Sequence, residues 1–288
     1  MSLPNLALIL LSAVIHVVAH VALKRAQNRT AFVWWMLAWG VLLYSPVLLL
    51  AHPAIPPAIW AILAISAMLE VFYFLSIARA YRLGDLSLVY PLARGTAPLF
   101  LLLWTTLFLS DRLSAGGVGG IALIAAGLYI INLPRLGAWL GPLRALAQPA
   151  PQAALLAGLC ISLYTLLDRA GVQQVDPLLY TYLVILLTLL LLTPLALRQM
   201  GVSGLRQELS SSRWASVLAG FTTLTAYVMV LSVIRAGAPA SYAGAVREVS
   251  VVFSAFIGVV FLHEQGSRVR ILGAACVLAG IGLIALAA

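Results

Sequence analysis

The 288 residues are 63% hydrophobic and 9% charged, with a mean hydropathy of +1.08. A soluble globule could not cover that much apolar surface, so the composition excludes a soluble enzyme or binding domain and implies an integral membrane protein. The net charge of +9 rests on arginines that stand singly or in pairs between apolar stretches; with no basic run carrying interleaved aromatics, nucleic acid is excluded as a partner and the cations read as topology signals.

A span needs roughly 20 apolar residues to cross a hydrocarbon core of about 30 Å. Ten such stretches follow one another, at 4–23, 32–51, 58–80, 87–109, 116–133, 152–167, 177–197, 214–233, 240–262 and 269–288. The first is expected to be retained, because its positive cluster follows the apolar run instead of preceding it. The connections are short, so any site must lie within the helix bundle and not in a soluble domain. Cys160 and Cys276 stand alone in apolar segments and read as small packing residues.

Span 1 carries His16 and His20 on one helix face. His16 lies roughly 12 Å from the Lys24 end and reads either as a hydrogen-bonding or titrating group of a cavity or as a satisfied packing histidine. His20, near the boundary, is expected to reach interfacial water. Neither a carboxylate nor a cysteine accompanies the pair in sequence, so no metal site and no cofactor are expected. Span 3 holds Glu70, roughly 22 Å from the turn at Gly84, a proton-coupling group or a structural partner for an arginine. Span 4 holds Arg94 between Pro91 and Pro98, prolines suited to bending the helix and opening a groove beside it.

Sliding the chain by 153 residues aligns 82–131 with 235–284 without a gap. The match includes Arg82/Arg235, Gly84/Gly237, Arg94/Arg247, Gly120/Gly273 and Gly127/Gly280, and apolar bias alone does not align charges and glycines. Further upstream "LKRA" at 23–26 meets "LDRA" at 167–170 at an offset of 144. The chain therefore divides into a first five-span repeat (1–133), a connecting loop (134–150) and a second repeat (151–288). An odd number of spans per repeat makes the second cross in the opposite sense, so the expected fold is an all-α membrane protein of two inverted five-helix repeats. The glycine-rich "GGVGGIALIAAG" and "LGAACVLAGIG" read as close-packing faces.

Arg94 and Arg247 each lie roughly 14 Å past the turns at Gly84 and Gly237, and entry from opposite faces brings both near the middle of the core. A guanidinium there is costly unless it faces a partner or a wet cavity, and its fork suits a carboxylate, phosphate or phosphonate. The alternative is an ion pair that fixes packing, which Glu248, beside Arg247, makes available. Glu248 and Arg247 cannot share one direction on a helix, so one faces the cavity and the other a neighbouring helix. Tyr90, Tyr227 and Tyr242, with Tyr164, Thr96 and Thr223, are further polar groups within spans. Thr223 is the repeat counterpart of Glu70, and that charge asymmetry suits an unsymmetrical solute.

A fourth span ending in "FLSDRLS" or "FLHEQGS", followed by a glycine-rich fifth, resembles the EamA family of the drug/metabolite transporter superfamily over nearly the whole chain. Asp111 stands where that family commonly has glutamate, and Glu264 is its counterpart; both read as helix-terminal capping groups. The resemblance implies a secondary transporter in the inner membrane, working by alternating access. From the residues, the cargo is a small anionic or zwitterionic metabolite: an amino acid, organic acid, organophosphate or phosphonate. Arg94, Arg247, His16, Tyr90, Tyr242 and Tyr227 are the expected binding residues, and Glu70 and Glu248 the proton-coupling or ion-pairing ones. Expected partners are the substrate, protons as coupling ion and the lipid bilayer, with a monomeric or homodimeric state. Twelve lysines and arginines fall on the face of Lys24 and three on the other, which places both termini outside. The rivals are a lipid-modifying membrane enzyme, whose Ser/His or His/Asp cluster is not found, and a lipid-binding assembly subunit.

Overall fold

The computed structural model of the protein describes residues 2–50, 55–84, 86–108, 113–131, 133, 137–141, 146–253 and 267–287, without the side chains of 49, 50, 86–88, 90, 91 and 267. Asp111 and Glu264 lie outside the described residues, and the Tyr90 side chain outside the described side chains. Among the described residues all regular structure is helical: α1 (Leu3–Arg25), α2 (Arg29–Tyr44), α3 (Val47–Leu50), α4 (Pro57–Leu83), α5 (Leu86–Phe108), α6 (Ala115–Ile131), α7 (Pro149–Val172), α8 (Pro177–Arg235), α9 (Ala240–Arg247) and α10 (Ser267–Ala287).

Helix ends follow local chemistry. The Ser2 side chain caps α1 and Lys24 and Arg25 close its last turn, matching the helix dipole. Asn28 caps α2 by accepting from Ala31 N at 3.2 Å. Where the hydropathy pattern predicts one span over 32–51, α2 stops at Tyr44 and a short α3 follows, because Pro46 removes a donor and disfavours helix before it. Asp176 caps α8 by accepting from Leu178 N at 2.9 Å.

The 59 residues of α8 include both predicted spans 177–197 and 214–233 and the connection between them. Straight, they would reach roughly 90 Å, about three hydrocarbon cores. Non-helical backbone at Gly201 (φ 64°) and Ser212 (φ −133°) divides the element into two long arms and a short crosspiece. The arms return side by side, because Tyr180 of the first and Tyr227 of the second both donate to Asp168. Five described helices are long and apolar enough to cross a bilayer, namely α1, α4, α7, α8 and Arg268–Ala287 of α10. This is a multi-pass membrane protein.

The most extensive packing joins α6 to α10. A Cβ added to Gly120 would stand 2.7 Å from the Gly280 carbonyl oxygen, and one on Gly127 2.6 Å from that of Gly273. Gly120 is the repeat counterpart of Gly273 and Gly127 of Gly280, so equivalent glycines meet crosswise and the two helices run antiparallel. In the same way α1 packs on α8 while its counterpart α7 packs on α4.

The predicted span 240–262 is interrupted. α9 ends at Arg247, Glu248 adopts a turn (φ −69°, ψ −5°), and helix resumes over 249–253. Glu248 N donates to Ala245 O at 3.0 Å and Val251 N to Glu248 O at 2.9 Å, the three-residue spacing of a 3₁₀ turn. α5, with the two prolines, is helical throughout.

Candidate functional site

Near the middle of the bundle, α1, α2, α4, α7, both arms of α8 and the end of α9 enclose one cavity. Four of the expected binding and coupling residues line it together: His16, Glu70, Tyr227 and Arg247. His20, Tyr73, Phe74, Tyr164, Met36 and Thr223 complete most of the remaining wall. Three repeat pairs face one another there, His20/Tyr164, Glu70/Thr223 and Phe74/Tyr227, so the cavity lies where the two repeats meet. The space inside it open to water is about 30 Å³, room for about two waters at the 10–15 Å³ that each needs.

The walls differ in chemistry. Glu70, 3% exposed, accepts from Thr188 Oγ1 at 3.1 Å, and Thr188 also donates to Val184 O in its own helix at 2.8 Å. Arg247 contributes the cation. His20 is buried, not interfacial: its Nδ1 shares a hydrogen bond with Tyr81 hydroxyl at 3.0 Å and its Nε2 one with His16 Nε2 at 3.1 Å. His20 is close to the end of α1, but α4 covers that side with Tyr73 and Tyr81 and keeps surface water away. His16 Nδ1 is buried with no hydrogen-bond partner among the described residues, a polar atom available to a guest.

Arg94 is not in the cavity wall. Its Nε lies 3.7 Å from Glu248 Oε1, both side chains being 3% exposed. The turn at Glu248 aims that carboxylate at the arginine of the other repeat, with which it pairs. Tyr242 also lies elsewhere, with its hydroxyl 3.2 Å from Ser114 N and Oγ at the start of α6. It fills the place that a side chain on Gly117 would need, which makes it a packing group.

Beside the cavity is an acid that sequence reasoning passed over. Asp168 is fully buried and accepts from Ser66 Oγ at 2.6 Å, Tyr180 hydroxyl at 2.8 Å and the Tyr227 hydroxyl. One carboxylate thus ties α4, α7 and both arms of α8. The signal was present, since "LDRA" places Asp168 opposite Lys24 of "LKRA". Lys24 is used differently, its ammonium donating to the Gly84 and Tyr81 carbonyls at the end of α4 at 2.7 and 3.1 Å. Among the described residues no His, Cys, Asp or Glu cluster has the makings of a metal site.

The arrangement offers an arginine, a carboxylate, two imidazoles and an aromatic wall around one buried space, a set suited to binding more than to covalent chemistry. No curated protein matches the sequence. One crystal structure, of a protein 17% identical, superposes with a TM-score of 0.70 over 98% of this chain and 95% of its own, which shows a shared fold. The model of the EamA-like transporter family matches twice, over residues 3–133 and 149–286. Two copies of that unit, packed on each other through equivalent glycines, make the chain a member of the EamA-like transporter family.

Proposed function

We propose that the protein is a secondary transporter of a small zwitterionic metabolite with an apolar side chain, an α-amino acid being the simplest such molecule. Ten spans in two inverted repeats carry it across the inner membrane by alternating access. The observation that carries this reading is that Arg247 and Glu70 line one aromatic cavity where the repeats meet. A carboxylate on the cargo suits the fork of Arg247, and an ammonium suits Glu70. Tyr73, Phe74, Tyr164 and Tyr227 suit an apolar body. A dianion would meet Glu70 as a like charge, so organic diacids and phosphonates rank below the zwitterion.

Alternating access draws support from the antiparallel α6 and α10 and from the size of the cavity, which holds waters but no metabolite until helices separate. Glu70 is the coupling group of this reading, because a carboxylate in the cavity wall can exchange a proton when the cavity opens. Purified protein screened by thermal shift against an amino acid, its decarboxylated amine and its deaminated acid tests the cargo. Stabilisation by the amino acid alone is expected, and stabilisation by the acid alone overturns the zwitterion. In liposomes Glu70→Gln should abolish proton-driven uptake while leaving the melting temperature of the protein within a few degrees, since the amide can still accept from Thr188. Undiminished pH-dependent flux would remove Glu70 from the mechanism.

A further inference from the structure

We propose that the protein has a second anion site, apart from the central cavity: a pocket at the α1–α2 turn that takes a phosphate group, whether of a lipid headgroup or of free phosphate. The pocket lies between residues 27–30, the last turns of α4 and Gln199 near the end of the first arm of α8. It shares no lining residue with the central cavity, so it stands or falls independently of the transported molecule. The space in it open to water is about 450 Å³, far beyond the ~10–15 Å³ that one bound water needs.

Three guanidiniums, those of Arg29, Arg79 and Arg82, converge on this pocket with Gln27, Asn28 and Gln199, and none of its described lining residues is acidic. Arg79 and Arg82 are three apart on α4 and so share one face of its last turns. Arg29 is anchored by one hydrogen bond, Nη2 to Lys24 O at 3.3 Å, while its Nε is buried with no hydrogen-bond partner among the described residues. Arg29 and Thr30 also open α2, whose first amides carry the positive end of the helix dipole. Among the described residues Glu208 is the carboxylate at this turn, and it is already engaged. It accepts from Asn28 N at 2.7 Å and Ser212 Oγ at 2.7 Å, and it lines a different groove. Like charges gathered with no acid among the described lining residues repel, and an anion bound among them relieves the repulsion. The planar forks select an oxyanion with several acceptors, and phosphate offers them bidentate partners. The site sits at the ends of α2 and α4, the level at which headgroups of anionic lipids meet a protein.

The test uses the full-length purified protein in detergent and reads the melting temperature. The probes are sodium phosphate, against sodium chloride of equal ionic strength, and phosphatidylglycerol added to the micelles, against phosphatidylcholine. Wild type is compared with Arg79→Gln/Arg82→Gln, both exposed positions, and with Arg82→Gln alone in case the double variant folds poorly. At least one probe should raise the wild-type melting temperature by several degrees over its control, and the variants should lose about half or more of that shift. A response to both probes assigns the site to any phosphate group, and a response to phosphatidylglycerol alone assigns it to a lipid headgroup. No response above either control, or an equal response in wild type and variants, overturns the site.

Discussion

Arg94 and Arg247 occupy equivalent positions in the two repeats, yet one is spent on an ion pair and the other lines the cavity. Removing Arg94 would leave Glu248, 3% exposed, without its buried counter-ion, a loss of the kind that costs about 3–5 kcal/mol. Arg94→Ala should therefore lower the melting temperature of the empty protein. Arg247→Ala should abolish the shift produced by the cargo, with Arg247→Lys intermediate because the charge survives and the fork does not, whereas Arg94→Ala should retain that shift in the protein that still folds. The same pattern in both variants would sink the division of roles. Asp168 belongs to the structural side. Its three hydroxyl donors are charge-assisted bonds of roughly 1.5–3 kcal/mol each, so Asp168→Asn, which keeps one oxygen and loses the charge, should lower the melting temperature as far as Arg94→Ala or further. A melting temperature equal to that of wild type would show the clasp to be dispensable. The repeat made the arginine pair legible in the sequence, as the helical pattern did for Glu70 and His16. Which arginine Glu248 serves was not legible, because the turn at 248 contains neither glycine nor proline.

At the scale of elements, hydropathy located most of the helices, and their ends were written in Asn28, Pro46 and Asp176. The fusion of two predicted spans into α8 was hidden, because 198–213 is polar yet helical and only Gly201 and Ser212 depart from helical backbone. The crosswise contact of α6 and α10 was half legible. Glycine spacing marked both faces, while their meeting is a fact of the fold. It yields a sharp contrast. A methyl group at Gly127 would press on backbone, 2.6 Å from Gly273 O, whereas one at Gly119 would meet nothing within 4 Å. Gly119→Ala should leave the melting temperature unchanged or slightly raised by helix propensity. Gly127→Ala should lower it by several degrees, because overpacking of this kind costs roughly 1–3 kcal/mol. Equal melting temperatures for the two variants would mean that the helices separate without penalty.

For the whole molecule, the question is which face meets the cytoplasm, and the structure sharpens the charge count. Arg29, Arg79 and Arg82 share one pocket with Gln199, and Glu208 accepts from Asn28 N, so the connections at 24–29, 79–82 and 198–213 stand on one face. Arg235 donates to Val175 O at 2.9 Å and lies 3.9 Å from Asp176 Oδ2, which puts the α7–α8 and α8–α9 connections together at the other ends of their helices. Ser114 Oγ donates to Ala287 O at 3.1 Å, joining the C-terminus to the start of α6. Twelve cations against three is a large imbalance for loops this short, the regime in which the positive-inside rule governs orientation. The arginine-rich face should therefore be cytoplasmic and both termini outside. A C-terminal fluorescent protein that matures only in the cytoplasm should stay dark, while alkaline phosphatase fused at the same point should be active. A bright reporter with inactive phosphatase would put the arginine-rich face outside and overturn the orientation.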